Sequence, residues 1–246
     1  MPPLRGLAGW RRVGYKDATP KGVGRFVLTL KYSMNSMLIR QARGLNYFGP
    51  RKALLASTIH LVMSQQPHLP ENVQNWRTNR QQPELHRRQA ALFCFGRKCM
   101  EASDKWALAT WPDQNSEIDY VFRQVKPDGK GHFEFVQLKE LVPDEINPEQ
   151  SLQDLLDKLP EKYPSVGGLT IAIHLHRDTT TKVADLKKPD LPGGSLWLFG
   201  LGGAPPHDAF LFGDWLKTPL VVYFTHPTFS VGESMVQWRG ELDDED

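Results

Sequence analysis

Between Glu117 and Leu141 the chain reads EIDYVFRQVKPDGKGHFEFVQLKEL. Two runs of alternating apolar and polar residues flank a turn rich in Pro, Asp and Gly, the pattern of a β-hairpin with one face in a core. A lone hairpin is marginal in water, so this stretch commits the chain to a sheet that other elements cover. Yet Asp119, Gln137 and Lys139 stand in the middle of runs that otherwise read as core.

Residues two apart in a strand share a face, so Gln137 and Lys139 project together, after Phe133 and Phe135 on the same side. Glu117 and Asp119 share a face by the same rule, and hairpin pairing brings Asp119 toward Gln137 and Lys139. A buried Lys or Asp without a partner is strongly destabilising, so mutual pairing or a bound ion is required. One outcome is a cross-strand Asp119–Lys139 ion pair. The other is a metal site: a carboxylate oxygen of Asp119, the amide oxygen of Gln137 and the backbone carbonyl of Leu138 are hard donors suited to Mg²⁺, with Mn²⁺ as the alternative ion. Such an ion acidifies an attacking water and offsets charge growing on a phosphate, while Lys139 orients that water or stabilises the transition state. That chemistry is phosphodiester hydrolysis.

The neighbouring segments supply a cover. PELHRRQAALFCFGRKCMEA, with Pro83 at a first helical position and Leu85, Ala91, Leu92, Phe95 and Cys99 at helical spacing, predicts a helix. KWALATW adds a strand before the hairpin and completes a three-stranded meander. NPEQSLQDLLDKLPEKY predicts one amphipathic helix through Leu152, Leu155, Leu156 and Leu159; LTIAIHLH, GGSLWLFGL and PLVVYFTH predict three further strands, the last two separated by a GGAPPHDAF loop. The order is helix, three strands, helix, strand, strand, strand, an α/β or α+β sandwich with helices over a sheet. Upstream, residues 34–82 predict one or two helices broken at Phe48–Pro50, then a Pro-punctuated linker; residues 1–33 form a basic extension of poor order, with one β-like run at Gly24–Leu30. The main domain spans residues 83–236, and residues 237–246 are an acidic, disordered tail.

Asp119 followed by VQLK, with Gln137 and Lys139, resembles the PD-(D/E)XK, or restriction-endonuclease-like, nuclease superfamily. That family's core also runs helix, three strands, helix, strand, so the resemblance implies a central mixed sheet flanked by helices over roughly Pro83 to His176, here with a basic helical N-terminal extension. It implies that Asp119 matches the metal-binding Asp of the second strand, Gln137 the acidic position of the third and Lys139 its Lys. Glu84, near the start of the first helix, matches the acidic residue many members carry there, with Glu101 as the alternative. Two departures stand out. Gln at position 137 removes one negative charge from the metal site, and no Pro precedes Asp119, although Trp111–Asp113 offers a Pro-Asp pair whose Asp113 ranks below Asp119. The implied activity is a Mg²⁺-dependent DNA endonuclease; the alternative is a catalytically inactive module of the same fold that binds nucleic acid or protein.

A formal charge of +2 conceals strong polarisation. Residues 1–98 hold 17 Lys or Arg against 3 Asp or Glu, and the remainder holds 13 against 25. A basic half is the electrostatic footprint of a polyanion partner, DNA ahead of RNA; the bland reading is a solvated extension, or a true start at Met34 or Met37. No run approaches the ~18 apolar residues of a membrane helix, and the N-terminus lacks a secretory apolar centre, so a cytoplasmic protein without a membrane partner is expected. Cys94 and Cys99 lie five apart, which speaks against a disulfide framework or structural zinc. The oligomeric state is open, a homodimer being one compatible assembly.

Other motifs carry less. His174 and His176 lie two apart on one strand face, a spacing compatible with a metal, but with no third ligand in view they read as structural. His207 and Asp208 read as loop polarity, and GLGGAP at Gly200–Pro205 as a turn, since it lacks the spacing of a phosphate loop. Trp76, Trp106 and Trp111 suit core or rim packing ahead of base stacking.

Overall fold

The computed structural model describes residues 36–64, 81–101, 104–113, 115–164, 167–177, 182–202 and 207–227. The β-like run at Gly24–Leu30, Met34, the linker with Trp76, part of the Gly-rich loop after Gly202 and the acidic tail lie outside the described residues. The chain divides into two units between Arg40 and Gln41, and the packing below is that of the second.

Helix α1 (Pro50–Ser64) and helix α2 (Gln82–Met100) precede strands β1 (Lys105–Thr110), β2 (Tyr120–Val125) and β3 (Gly131–Leu141). Two short helices, α3 (Leu152–Asp157) and α4 (Leu159–Lys162), lead to β4 (Leu169–Leu175), β5 (Ser195–Leu201), β6 (Ala209–Gly213) and β7 (Leu220–Phe224). The architecture is α+β, and the seven strands among the described residues form one mixed sheet in the order of the chain. β1, β2 and β3 form an antiparallel meander, β3, β4 and β5 run parallel, and β6 and β7 return antiparallel. Parallel neighbours need a crossover, and α3 with α4 supplies the one between β3 and β4. The nearly continuous apolar runs of β4 and β5 suit their central place, where both faces are covered.

Alternation along β3 divides the core. Val136 and Leu138 join Tyr120, Phe122, Ala172, Trp197 and Phe199 beneath α2, whose Ala90, Leu92 and Phe93 are buried there. Phe135 and Leu141 face the other side with Ile171, Ile173, Leu196 and Leu198, against Leu152, Leu155, Leu156 and Leu159 of α3 and α4. The Phe93 ring lies 5.5 Å from Phe122 and 5.2 Å from Phe199, in the tilted geometry aromatic pairs favour. Gly96 lets α2 approach β7: a Cβ there would lie 2.9 Å from the Phe224 ring. At the β2–β3 turn Gly129 has φ +81°, a left-handed conformation that glycine adopts without strain.

Three local differences from the sequence reading have physical causes. The predicted single helix around Leu152–Leu159 is two: Ser151 and Asp154 form a capping box that starts α3, and Pro160, lacking an N–H, sits at the start of α4. The stretch read as a loop before Phe210 ends in strand β6, five residues paired on both edges. β2 begins at Tyr120, so Asp119 precedes the strand instead of interrupting it. Trp106 and Trp111 are 5% and 6% exposed and belong to the core, not to a stacking platform. Cys94 is buried and Cys99 exposed, both as free thiols. Among the described residues no helix is long and apolar enough to cross a membrane.

Candidate metal and phosphate site on strand β3

Asp119 is fixed through its backbone. Its N–H donates to the Val136 carbonyl at 2.9 Å and its own carbonyl accepts from Trp111 N–H at 2.8 Å, which pins it between β1 and β3. The carboxylate then turns onto β3, where Oδ2 accepts from Leu138 N–H at 2.8 Å and from Gln137 Nε2 at 2.5 Å. The Gln137 amide also lies 3.3 Å from the Leu138 carbonyl oxygen. Asp119 is therefore engaged by Gln137 and Leu138 instead of by a direct ion pair with Lys139.

The buried Gln137 amide nitrogen places a partial positive charge between a carboxylate oxygen and a carbonyl oxygen. Rotating the amide exchanges Nε2 for Oε1, which brings a third oxygen beside those of Asp119 and Leu138. Carboxylate, amide and carbonyl oxygens are donors of the kind that hard divalent cations such as Mg²⁺ take.

Lys139, two residues further on, projects from the same face as Gln137 and meets the end of the crossover. The Tyr163 ring centroid is 5.5 Å from Lys139 Nζ and 5.8 Å from Lys162 Nζ, so two ammonium groups lie against one aromatic ring. Burial, the positive charge of Lys162 and the contact with it push the Lys139 ammonium down to about 8, and only Asp119 opposes that shift. The Tyr163 hydroxyl is buried and has no hydrogen-bond partner among the described residues. Burial, then the charges of Asp119 and Glu117, pushes its titration up, so it too lies in the field of the site's carboxylates.

Glu84 stands in the first turn of α2, on the opposite side of the sheet, and its Oε1 accepts from Arg87 at 2.5 Å. It shares an electrostatic neighbour with Asp119: burial raises the Tyr120 hydroxyl, Arg87 lowers it, and Asp119 and Glu84 both raise it further. Glu101 lies elsewhere, at the C-terminal cap of α2, where it accepts from Gln124. Gln124 is five residues along the strand from Asp119, about 16 Å at a strand's usual rise, so Glu101 does not join the site. Asp113 is exposed and accepts from Asn115 N–H within its loop. Asp208 hydrogen-bonds His226 through backbone and ring, tying the start of β6 to the end of β7.

The basic first half is used partly within the fold. Arg97 pairs with Glu134 at 2.9 Å and lies 4.4 Å from the Trp197 ring centroid, and Arg88 donates to Thr58 Oγ1 at 3.2 Å while burial lowers its pKa. These two arginines hold α2 in place and are not exposed phosphate ligands.

A depressed lysine pKa is a stability statement. The unfolded chain binds the Lys139 proton up to its ordinary value of 10.5, whereas the folded chain releases it near 8. Folding is therefore penalised below pH 8, and the penalty is relieved as pH rises from 8 toward 10.5. Lys139→Met is expected to raise the melting temperature of the metal-free protein at pH 7, an advantage that shrinks by pH 10; thermal unfolding at both pH values checks this.

Sequence reasoning missed Lys162 and Tyr163, because their approach to β3 depends on where the crossover ends and no spacing within DKLPEKY announces it. No family model, curated protein or solved structure matches the chain at a significant level.

Proposed function

We propose that the chain is a Mg²⁺-dependent nuclease of restriction-endonuclease-like type, hydrolysing phosphodiester bonds in DNA. The observation that carries this reading is the meeting of Asp119, Gln137 and the Leu138 carbonyl beside Lys139. The frame of α2, the β1–β2–β3 meander, the α3–α4 crossover and parallel β4 supports it, since that order is the one the resemblance implies. Asp119, Gln137 and the Leu138 carbonyl would hold the ion. Mg²⁺, when bound, acidifies a water and neutralises charge on the phosphate under attack. Lys139 Nζ, protonated at neutral pH, donates to a phosphate oxygen or orients the attacking water, and Lys162 adds a second positive charge beside it. Basic residues of the first 98 would hold the rest of the DNA backbone, apart from Arg88 and Arg97.

Gln137 is the position on which activity turns. A glutamate there would add a second formal negative charge to the donor set, so Gln137→Glu is expected to lower the Mg²⁺ concentration for half-maximal cleavage about tenfold. The test is cleavage of linear, circular and single-stranded DNA against Mg²⁺ concentration, with wild type and Gln137→Glu side by side.

A second reading has its own observation in favour: the Gln137 amide, as a hydrogen-bond donor, satisfies Asp119 and approaches the Leu138 carbonyl. On that reading the domain binds nucleic acid or protein and does not cleave. It predicts salt-sensitive DNA binding with no product in Mg²⁺ or Mn²⁺, including for Gln137→Glu.

A further inference from the structure

β3 carries a second group of ligand-type side chains on its opposite face. Gln137 and Lys139 point toward α3 and α4, so Glu140 points the other way. In the parallel β3–β4 register Glu140 lies directly opposite His174. His176, two residues beyond, extends that face past the strand end, where its N–H donates to the Leu141 carbonyl at 3.1 Å. Glu140, absent from the local HLH pattern, is therefore the third member of the set that the two histidines lacked in the sequence.

We infer that Glu140, His174 and His176 form a binding site for a zinc-class divalent ion, separate from the Asp119–Gln137 site. One donor atom from each residue lies within 4.8 Å of the others, so small side-chain adjustments bring all three onto one ion. His176 Nδ1 lies 3.1 Å from Glu140 Oε1. The His174 and His176 ring centroids are 5.0 Å apart, and the His174 ring also packs 5.0 Å from Phe199, which holds it in the core. The partners differ in exposure: His174 is 2% exposed, while the His176 side chain is 39% exposed. The site is thus anchored at its floor and open at its rim.

The donor chemistry selects the ion. Two imidazoles and one carboxylate suit Zn²⁺, and also Co²⁺ or Ni²⁺, whereas Mg²⁺ takes oxygen donors. Three protein ligands leave a fourth position for water on the exposed His176 side. An ion here ties the C-terminal end of β3 to β4, and so steadies the strand that presents Gln137 and Lys139 on its other face. Without an ion, Glu140 and His176 retain their hydrogen bond.

The test uses the full chain, stripped with chelator and titrated with Zn²⁺ by calorimetry and with Co²⁺ by visible absorption. His176→Ala and Glu140→Gln are the informative variants, because the His176 side chain is exposed, Gln keeps the shape of the Glu140 side chain, and neither change touches the His174–Phe199 contact. Wild type is expected to bind one equivalent, with a melting temperature raised by Zn²⁺; each variant is expected to lose about tenfold or more in affinity. Asp119→Asn is expected to bind Zn²⁺ as wild type does, which keeps this result distinct from the fate of the nuclease proposal. Absence of Zn²⁺ binding by wild type, or wild-type affinity in either variant, would overturn the inference.

Discussion

Asp119→Asn is expected to reduce DNA cleavage about 10²–10³-fold while leaving the protein folded. The amide oxygen of Asn can still accept the Leu138 N–H that the carboxylate accepts at 2.8 Å, so the local hydrogen bonding survives. What disappears is the sole formal negative charge of the donor set, because Gln137 is neutral and Leu138 contributes only a carbonyl. A site with two acidic ligands could lose one and keep some affinity; this one keeps none of its charge. Circular dichroism and thermal unfolding report the fold, and a cleavage time course in excess Mg²⁺ reports the site. Raising Mg²⁺ is expected to restore part of the activity, as a loss of metal affinity requires.

Lys139→Ala is expected to cost cleavage about 10²–10⁴-fold, and to do so without weakening the fold. Its ammonium titrates near 8 because burial and Lys162 disfavour the charge, so removing it relieves an unfavourable term of the free protein. A lysine whose role was to close a structural ion pair would behave oppositely, with lower stability on removal. Substrate changes the balance: a phosphate placed between Lys139, Lys162 and the ion would supply the negative charge that the pair lacks. The loss should therefore fall on turnover more than on DNA affinity, and extra Mg²⁺ should not restore it. That separates Lys139 from Asp119 in the same assay.

The parts of the fold governed by local pattern were legible in the sequence. β4 and β5 declare themselves as apolar runs, the β2–β3 hairpin through its turn, and α2 through helical spacing after Pro83. β6 was not, since five residues between a Gly-Pro segment and DWLKTP give too short a run to distinguish from a loop. For the site, period-two alternation puts Gln137 and Lys139 on one face of β3, and the Asp119 carboxylate lies against Gln137. Of the two outcomes the sequence left open, the direct Asp119–Lys139 ion pair does not form, because the carboxylate is taken up by two nearer donors, the Gln137 amide and the Leu138 N–H. Tyr163 and Lys162 approach β3 only through the crossover. Glu140 meets His174 only through a parallel register that no hairpin logic supplies. Contacts made by long-range parallel pairing leave no local trace in composition or spacing.

On the proposed reading, the donor set of Asp119, Gln137 and Leu138 carries a single formal charge. Cleavage should need more metal than a site with two acidic ligands, so an assay at low Mg²⁺ is the wrong one. The most direct measurement is incubation of wild type and Lys139→Ala with linear, circular and single-stranded DNA across a wide range of Mg²⁺ and Mn²⁺. Metal-dependent product is expected from wild type, abolished by chelator and by Lys139→Ala. DNA bound but left intact by wild type at every metal concentration, or cleavage undiminished in folded Lys139→Ala, would contradict it.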